Sequence, residues 1–421
     1  MIFIQKRIVC DTFLNVFCIF DDTMEALFNK YRELLRQTEK GFVRGLSHKI
    51  NWNSRAICLE GARGTGKSTL MLQHIKAQLP VEQTLYLSLD DLYFKQHTLS
   101  SVAETFYQQG GRYLFMDEVH KYADWQIEVK NLYDFKTDLQ LVISGSSILA
   151  LQRSEVDLSR RVLRYKLPEL SLREYIAIKE GIVLPIYSLS DILEQHTGIV
   201  DAVKEQLSSP LKSFKEYLTY GAYPFFLEGV NEYLIRLQQL INVIIDYDLP
   251  EARSVEPSTL TKLKKLLYII STAVPFTPNI AKLAEQVGTS RSRLLEMLEL
   301  LEKAELIRNL RSSNFGVSLM NKPEKIFLNN TSLIMALAEG QPNMGNLRET
   351  YFYTQLMGAG HRVSYPKKGD FLIDGTYLFE VGGKNKGRQQ IADEAHSFLA
   401  VDDLEYGFAD KIPLWLFGLL Y

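Results

Sequence analysis

Cysteine is nearly missing from this chain: Cys10, Cys18 and Cys58 are the three in 421 residues. Three thiols without a C-x-x-C pair exclude a disulfide framework and a cysteine-built metal site, and they suit a reducing compartment. Long apolar runs are also missing, and no stretch suffices to span a bilayer. Nor is there an excess of one charge. Lys and Arg number 48 against 50 Asp and Glu, a formal net charge of −2. No global attraction to nucleic acid follows, so any such binding needs a local patch. Internal repeats and low-complexity linkers are absent, and 46% hydrophobic with 23% charged residues is the composition of an ordinary globular chain. The length calls for several domains.

The first twenty residues place Lys6 and Arg7 before the apolar stretch Phe13 to Phe20, the outline of a signal peptide. Asn15 interrupts that stretch, Asp21-Asp22 follow it, and no small-x-small cleavage site is present. Residues 1–23 therefore read as an extension ahead of Met24, where MEALFNKYRELLRQ becomes cleanly helical. The expected location is cytoplasmic, with no membrane partner.

What is present is concentrated in eight residues: Gly61, Ala62, Arg63, Gly64, Thr65, Gly66, Lys67 and Ser68. They match G-x-x-x-x-G-K-[ST], a phosphate-binding loop. Ala56 to Leu59 before them is short and apolar, and Thr69-Leu70-Met71-Leu72 after them opens a helical pattern. Glycines let the backbone turn its N–H groups inward around phosphate oxygens, and the helix N-terminus adds partial positive charge. Lys67 is expected to reach the β- and γ-phosphates, and the Ser68 hydroxyl to ligate Mg²⁺. The loop as a whole, Gly61 through Thr69, is the candidate nucleotide cradle.

The apolar strand Tyr113-Leu114-Phe115-Met116 delivers Asp117 and Glu118 to its C-terminal tip, the pattern of a Walker B motif. Parallel sheets bind ligands at that edge. Asp117 is expected to hold hydrated Mg²⁺, and Glu118 to orient and deprotonate the attacking water. An acid beside the magnesium aspartate implies hydrolysis rather than binding alone. Ser144, at the tip of the strand Leu139 to Ile143, stands where a polar sensor would meet the γ-phosphate or the water. Arg160, Arg161 and Arg164 are candidates for stabilising developing charge, with Arg161 preferred. A guanine reader would need Asn-Lys-x-Asp. The nearest match, Asn321-Lys322-Pro323-Glu324, lacks the aspartate, so the expected nucleotide is ATP.

Taken in order, GARGTGKST, YLFMDEVHKYADW, LVISGSS, LSRRVLRYKLPELSLREY and YLTYGAYPFF resemble a prokaryotic AAA-type ATPase family whose members carry a C-terminal domain of unknown function. The resemblance runs from about Met24 to the end. It implies a sheet in which the sensor strand lies between the phosphate-loop and Walker B strands. The family usually shows Gly-Arg where this chain has Arg160-Arg161, which aligns Arg161 with the family arginine.

The expected architecture is α/β: a P-loop parallel sheet at 24–184, a helical region at 185–255, a winged-helix segment at 256–335 and a mixed α/β domain at 340–421. Helices over Leu260 to Ile270, Ile280 to Val287 and Arg291 to Leu301, then strands Leu306 to Leu310 and Lys325 to Leu328, make the winged-helix pattern. Arg291 and Arg293 stand where a DNA reader places its contacts, but Glu296, Glu299 and Glu302 on the same helix repel phosphates. In the last domain Asp370 and Glu380, with Glu349 before them, resemble the restriction-endonuclease-like D…E-x-K core. Gly382 takes the lysine position, and Lys384, two residues on, keeps the strand face only if the strand continues. The expectation is a degenerate, non-catalytic nuclease fold. A nucleotide-regulated nuclease or DNA-binding protein is the alternative; the DNA or protein partner and the oligomeric state are left open.

Overall fold

The computed structural model describes residues 25–39, 41–146, 158–253, 255–272, 277–312, 322–338 and 340–421. The extension 1–23, and Ser147 with the segment after it, lie outside the described residues. Those described fall into two compact units. One comprises residues up to 60, 66–146 and 158–167; the other comprises 61–65 and the chain from 168 onward. Among the described residues no helix is long and apolar enough to cross a membrane.

The first unit opens with α1 (residues 25–37), which buries Leu27, Tyr31 and Leu35 at four-residue spacing along one face. Its strands are β1 (Ala56–Gly61), β2 (Thr84–Ser88), β3 (Tyr113–Asp117), β4 (Gln140–Ser146) and β5 (Leu163–Lys166). Helices α2 (Lys67–Gln78), α3 (Leu99–Gln108) and α4 (Trp125–Phe135) connect them. The five strands stand in the order β2-β3-β4-β1-β5, with β2–β3, β3–β4 and β1–β5 parallel. The sensor strand β4 thus lies between β1 and β3, as the resemblance implies. Leu114, Phe115 and Met116 are all at most 1% exposed, because helices cover both faces of a parallel sheet. Each such side chain contributes about 1.5–3 kcal/mol by burial.

The second unit begins with α5 (Leu172–Glu180), started by a reciprocal capping box between Ser171 and Glu174. There follow α6 (Leu189–Lys204), α7 (Pro210–Tyr220), α8 (Tyr233–Val243), a π-helical turn over Ile244–Asp248, and α9 (Leu249–Ala252). Helices α10 (Pro257–Thr272), α11 (Ile280–Val287) and α12 (Arg291–Lys303) precede an antiparallel ribbon of β6 (Ile307–Leu310) and β7 (Lys325–Leu328). After α13 (Thr331–Leu337) and α14 (Met344–Ala359) comes a second sheet. It contains β8 (Val363–Ser364), β9 (Phe371–Ile373), β10 (Tyr377–Gly382), β11 (Ser397–Val401) and β12 (Lys411–Pro413) in sequential order. The first three pair antiparallel; β10, β11 and β12 pair parallel.

Candidate functional site

The loop after β1 has the backbone that its glycines predict. Gly64 (φ +83°) and Gly66 (φ +92°) both occupy the left-handed region, where a Cβ costs about 1–2 kcal/mol. Gly66 caps the N-terminus of α2, whose first turn holds Lys67, Ser68 and Thr69. Thr65 is buried and its Oγ1 donates to the Ala62 carbonyl at 2.9 Å, closing the loop on itself. Lys67 is 5% exposed, so its stem is held within the fold.

Asp117, 2% exposed at the tip of β3, is the centre of the neighbouring cluster. Its Oδ1 accepts from the Glu118 N–H at 3.0 Å and from the Ser144 hydroxyl on β4. Its Oδ2 accepts from the Tyr86 hydroxyl on β2 at 2.5 Å. Burial, and then the charge on Asp117, push the Tyr86 hydroxyl far above its ordinary range; a hydrogen bond from Ser68 offsets part of the rise. Tyr86, Asp117 and Ser144 therefore form one hydrogen-bonded network contributed by β2, β3 and β4, with Ser68 at the start of α2 close enough to Tyr86 to act on its hydroxyl. The adjacency of β2, β3 and β4 is what makes it.

Glu118 is a non-glycine residue at φ +52°, ψ +38°. Such strain costs roughly 1–3 kcal/mol and persists where the surroundings over-determine it. Its Oε2 lies 3.3 Å from Nδ1 of His120, a side chain 1% exposed. Arg161 is placed elsewhere: Nε and Nη2 donate to the two carboxylate oxygens of Asp134 on α4, at 2.9 and 3.1 Å. Those hydrogen bonds hold the Asp134 carboxyl below its usual range. Arg164 pairs with Glu60. The sheet edge thus gathers Asp117, Glu118 and Ser144 with the start of α2.

Within the second unit, Arg63 Nη1 donates to both oxygens of Asp248 at 3.1 Å, and Asp248 is fully buried at the end of the π-helical turn. A Cβ built on Gly64 would meet the Phe225 ring at 3.4 Å and Leu240 at 3.8 Å.

The second candidate cluster follows the sequence expectation at its lysine, the strand stopping at the glycines. Strand β10 ends at Gly382, so Lys384 is not carried on along the same face. Lys386 turns back instead, its N–H bonded to the Gly383 carbonyl, and its Nζ lies 3.6 Å from Glu380 Oε1. Lys325 of β7 donates to Glu349 at 2.9 Å and Asp370 at 3.2 Å. On α12, Arg293 pairs with Glu296 at 3.3 Å.

Sequence reasoning missed Tyr86, His120, Asp248 and Lys325. For Tyr86 a signal existed: a tyrosine on a buried strand needs a hydroxyl partner, and β2 ends beside the acid-bearing strand.

A parallel sheet with a phosphate loop leading into α2, and acids at the tip of an adjacent strand but one, defines the P-loop nucleotide-binding class. Residues 53–176 match the model of the AAA domain, and this part of the chain is an AAA-type P-loop domain. Residues 211–343 match a Domain of unknown function (DUF8612). The uncharacterized protein MJ1637 of Methanocaldococcus jannaschii is 29% identical over 371 residues, covering 81% of this chain and 78% of that protein. Among solved structures, AMPPCP-bound DnaA from Aquifex aeolicus is 14% identical, with 64% of this chain and 86% of that chain covered at a TM-score of 0.25. The S. cerevisiae Hsp104–ADP complex is 18% identical, with 65% and 46% covered at 0.28.

Proposed function

We propose that the protein is a Mg²⁺-dependent ATPase that acts as a conformational switch on a macromolecular partner. The observation that carries this reading is the network joining Tyr86, Asp117 and Ser144 beside the strained Glu118, next to a glycine-rich loop that opens α2 at Lys67 and Ser68. The residues fit the nucleotide and its metal: loop glycines in left-handed conformation, a lysine and a serine hydroxyl at the helix start, and a buried aspartate at the tip of β3. Gly61 through Thr69 cradle the phosphates, with Lys67 on the β- and γ-phosphates. Ser68 and Asp117 hold Mg²⁺, which when bound neutralises phosphate charge. Glu118 orients and deprotonates water, with His120 Nδ1 standing 3.3 Å from its carboxylate. Ser144 reports the γ-phosphate through Asp117. Arg161 serves as the stabilising cation once released from Asp134. The proposed domain limits remain 24–184, 185–255, 256–335 and 340–421.

The switch reading rests on Arg63. A loop that tightens around phosphates must move or strain the Arg63–Asp248 pair, and Asp248 belongs to a helical turn. π-Helical turns often mark functional sites. Hydrogen exchange with and without ATP and Mg²⁺ tests it. ATP is expected to change protection over residues 233–252 in the unmodified protein and not in Lys67→Ala. Unchanged exchange there, with ATP bound, would contradict the switch.

A further inference from the structure

We infer that Lys325 is the resident counter-ion of the Glu349–Asp370 pair, standing where the nuclease resemblance would place a divalent cation, so that this cluster ties the β6–β7 ribbon to the C-terminal sheet and takes no metal. The resemblance implies Mg²⁺ held by Asp370 and Glu380 with Glu349 near by. The residues present do not fit that ion. Lys325 Nζ lies within hydrogen-bonding distance of both Glu349 and Asp370, and its side chain is 9% exposed. The rings of Tyr365 and Phe371 each stand 5.9 Å from the same ammonium. Two carboxylates and two aromatic faces make a seat for an ammonium, not for a hard dication that demands oxygen ligands in octahedral array.

Asp370 has little left to offer a metal. One oxygen accepts from Lys325 and the other from the Val381 backbone N–H at 3.0 Å. Glu380 keeps one oxygen without a hydrogen-bond partner, but its other oxygen faces Lys386. Two ammonium groups beside three acids leave no charge deficit large enough to draw in a dication. Gly382 completes the argument. A Cβ there would lie 2.7 Å from Cγ of Lys386, so the position that carries the lysine in D…E-x-K is glycine because the stem of Lys386 fills that space.

The electrostatics are those of a closed ion-pair network. Burial raises the Glu349 carboxyl above its ordinary range, and Lys325 offsets part of this. Burial pulls the Lys325 ammonium down, but the charges of Glu349 and Asp370 more than reverse it and keep it protonated. The tie is also long-range in sequence, joining β7 to α14 and to the start of β9. A second link runs alongside it, where the Tyr365 N–H bonds the Arg311 carbonyl at 2.8 Å.

Mn²⁺ titration of the nucleotide-free full chain, read by electron paramagnetic resonance, tests the assignment. The unmodified protein is expected to show no Mn²⁺ site that Asp370→Asn abolishes, and no metal-dependent plasmid nicking. Lys325→Met, folded by circular dichroism, is expected to gain a saturable Mn²⁺ site that the unmodified protein lacks, because two acids then lack their cation. That site should vanish when Asp370→Asn is added. Lys325→Arg keeps the charge and should fold and bind no Mn²⁺ here, which decides the matter if Lys325→Met does not fold. An Asp370-dependent Mn²⁺ site in the unmodified protein or in Lys325→Arg would overturn the inference. So would a folded Lys325→Met that gains none.

Discussion

Tyr86→Phe removes one hydroxyl and nothing else, and the structure sets the size of its effect. Tyr86 is 6% exposed, and its hydroxyl donates at 2.5 Å to an aspartate that is itself 2% exposed. Losing a buried donor to a charged acceptor costs about 1.5–3 kcal/mol, because Asp117 retains its charge but keeps only the Ser144 and Glu118 donors. For a domain of this size that corresponds to a fall in melting temperature of roughly 3–12 °C. ATP turnover should therefore fall by about tenfold, with a smaller loss in binding. The assays are scanning calorimetry of the nucleotide-free protein and a phosphate-release measurement. A variant melting within about 1 °C of the unmodified protein would refute the claim that Tyr86 holds Asp117 in place.

Lys67→Ala should abolish measurable ATP binding by calorimetric titration, since the buried lysine is the cation of the proposed cradle. Asp248→Asn should destabilise the second unit by about 2–3 kcal/mol and weaken ATP binding several-fold, because Arg63 loses its charged partner; chemical denaturation and nucleotide titration read the two effects. His74 stacks on Trp52 with centroids 3.8 Å apart, and burial lowers its pKa from 6.5 to about 4. The fold thus favours the neutral ring: its contribution is complete above pH 6.5 and is lost as pH falls through the folded-state value near 4. Discounted for partial exposure, the loss is about 1–2 kcal/mol, visible in pH-dependent unfolding followed by Trp52 fluorescence and absent in His74→Phe.

The phosphate loop and the Asp117-Glu118 pair were legible because each is dictated by consecutive residues. Left-handed turns demand glycine at 64 and 66, and a doubly covered strand must be apolar up to its acidic tip. The place of β4 between β1 and β3 came from the resemblance; periodicity cannot order strands. What escaped was contact between residues distant in sequence. Tyr86 meets Asp117 across 31 positions and Lys325 meets Asp370 across 45, and no local pattern marks either pair. Helix α6 lies within the helical region expected at 185–255, although Gln195 interrupts it with non-helical φ/ψ. Lys384 was the nearest lysine in sequence, but β10 stops at Gly382 and the turn brings Lys386 back over the strand.

The central claim is that this chain turns over ATP with Glu118 as the base, and one comparison tests it most directly: ATP affinity and steady-state phosphate release for the unmodified protein and Glu118→Gln. The account predicts Mg²⁺-dependent release by the unmodified protein, retained affinity in Glu118→Gln, and a loss of turnover of about a hundredfold or more. Undiminished hydrolysis by Glu118→Gln, or no hydrolysis by the unmodified protein with ATP bound, would contradict it.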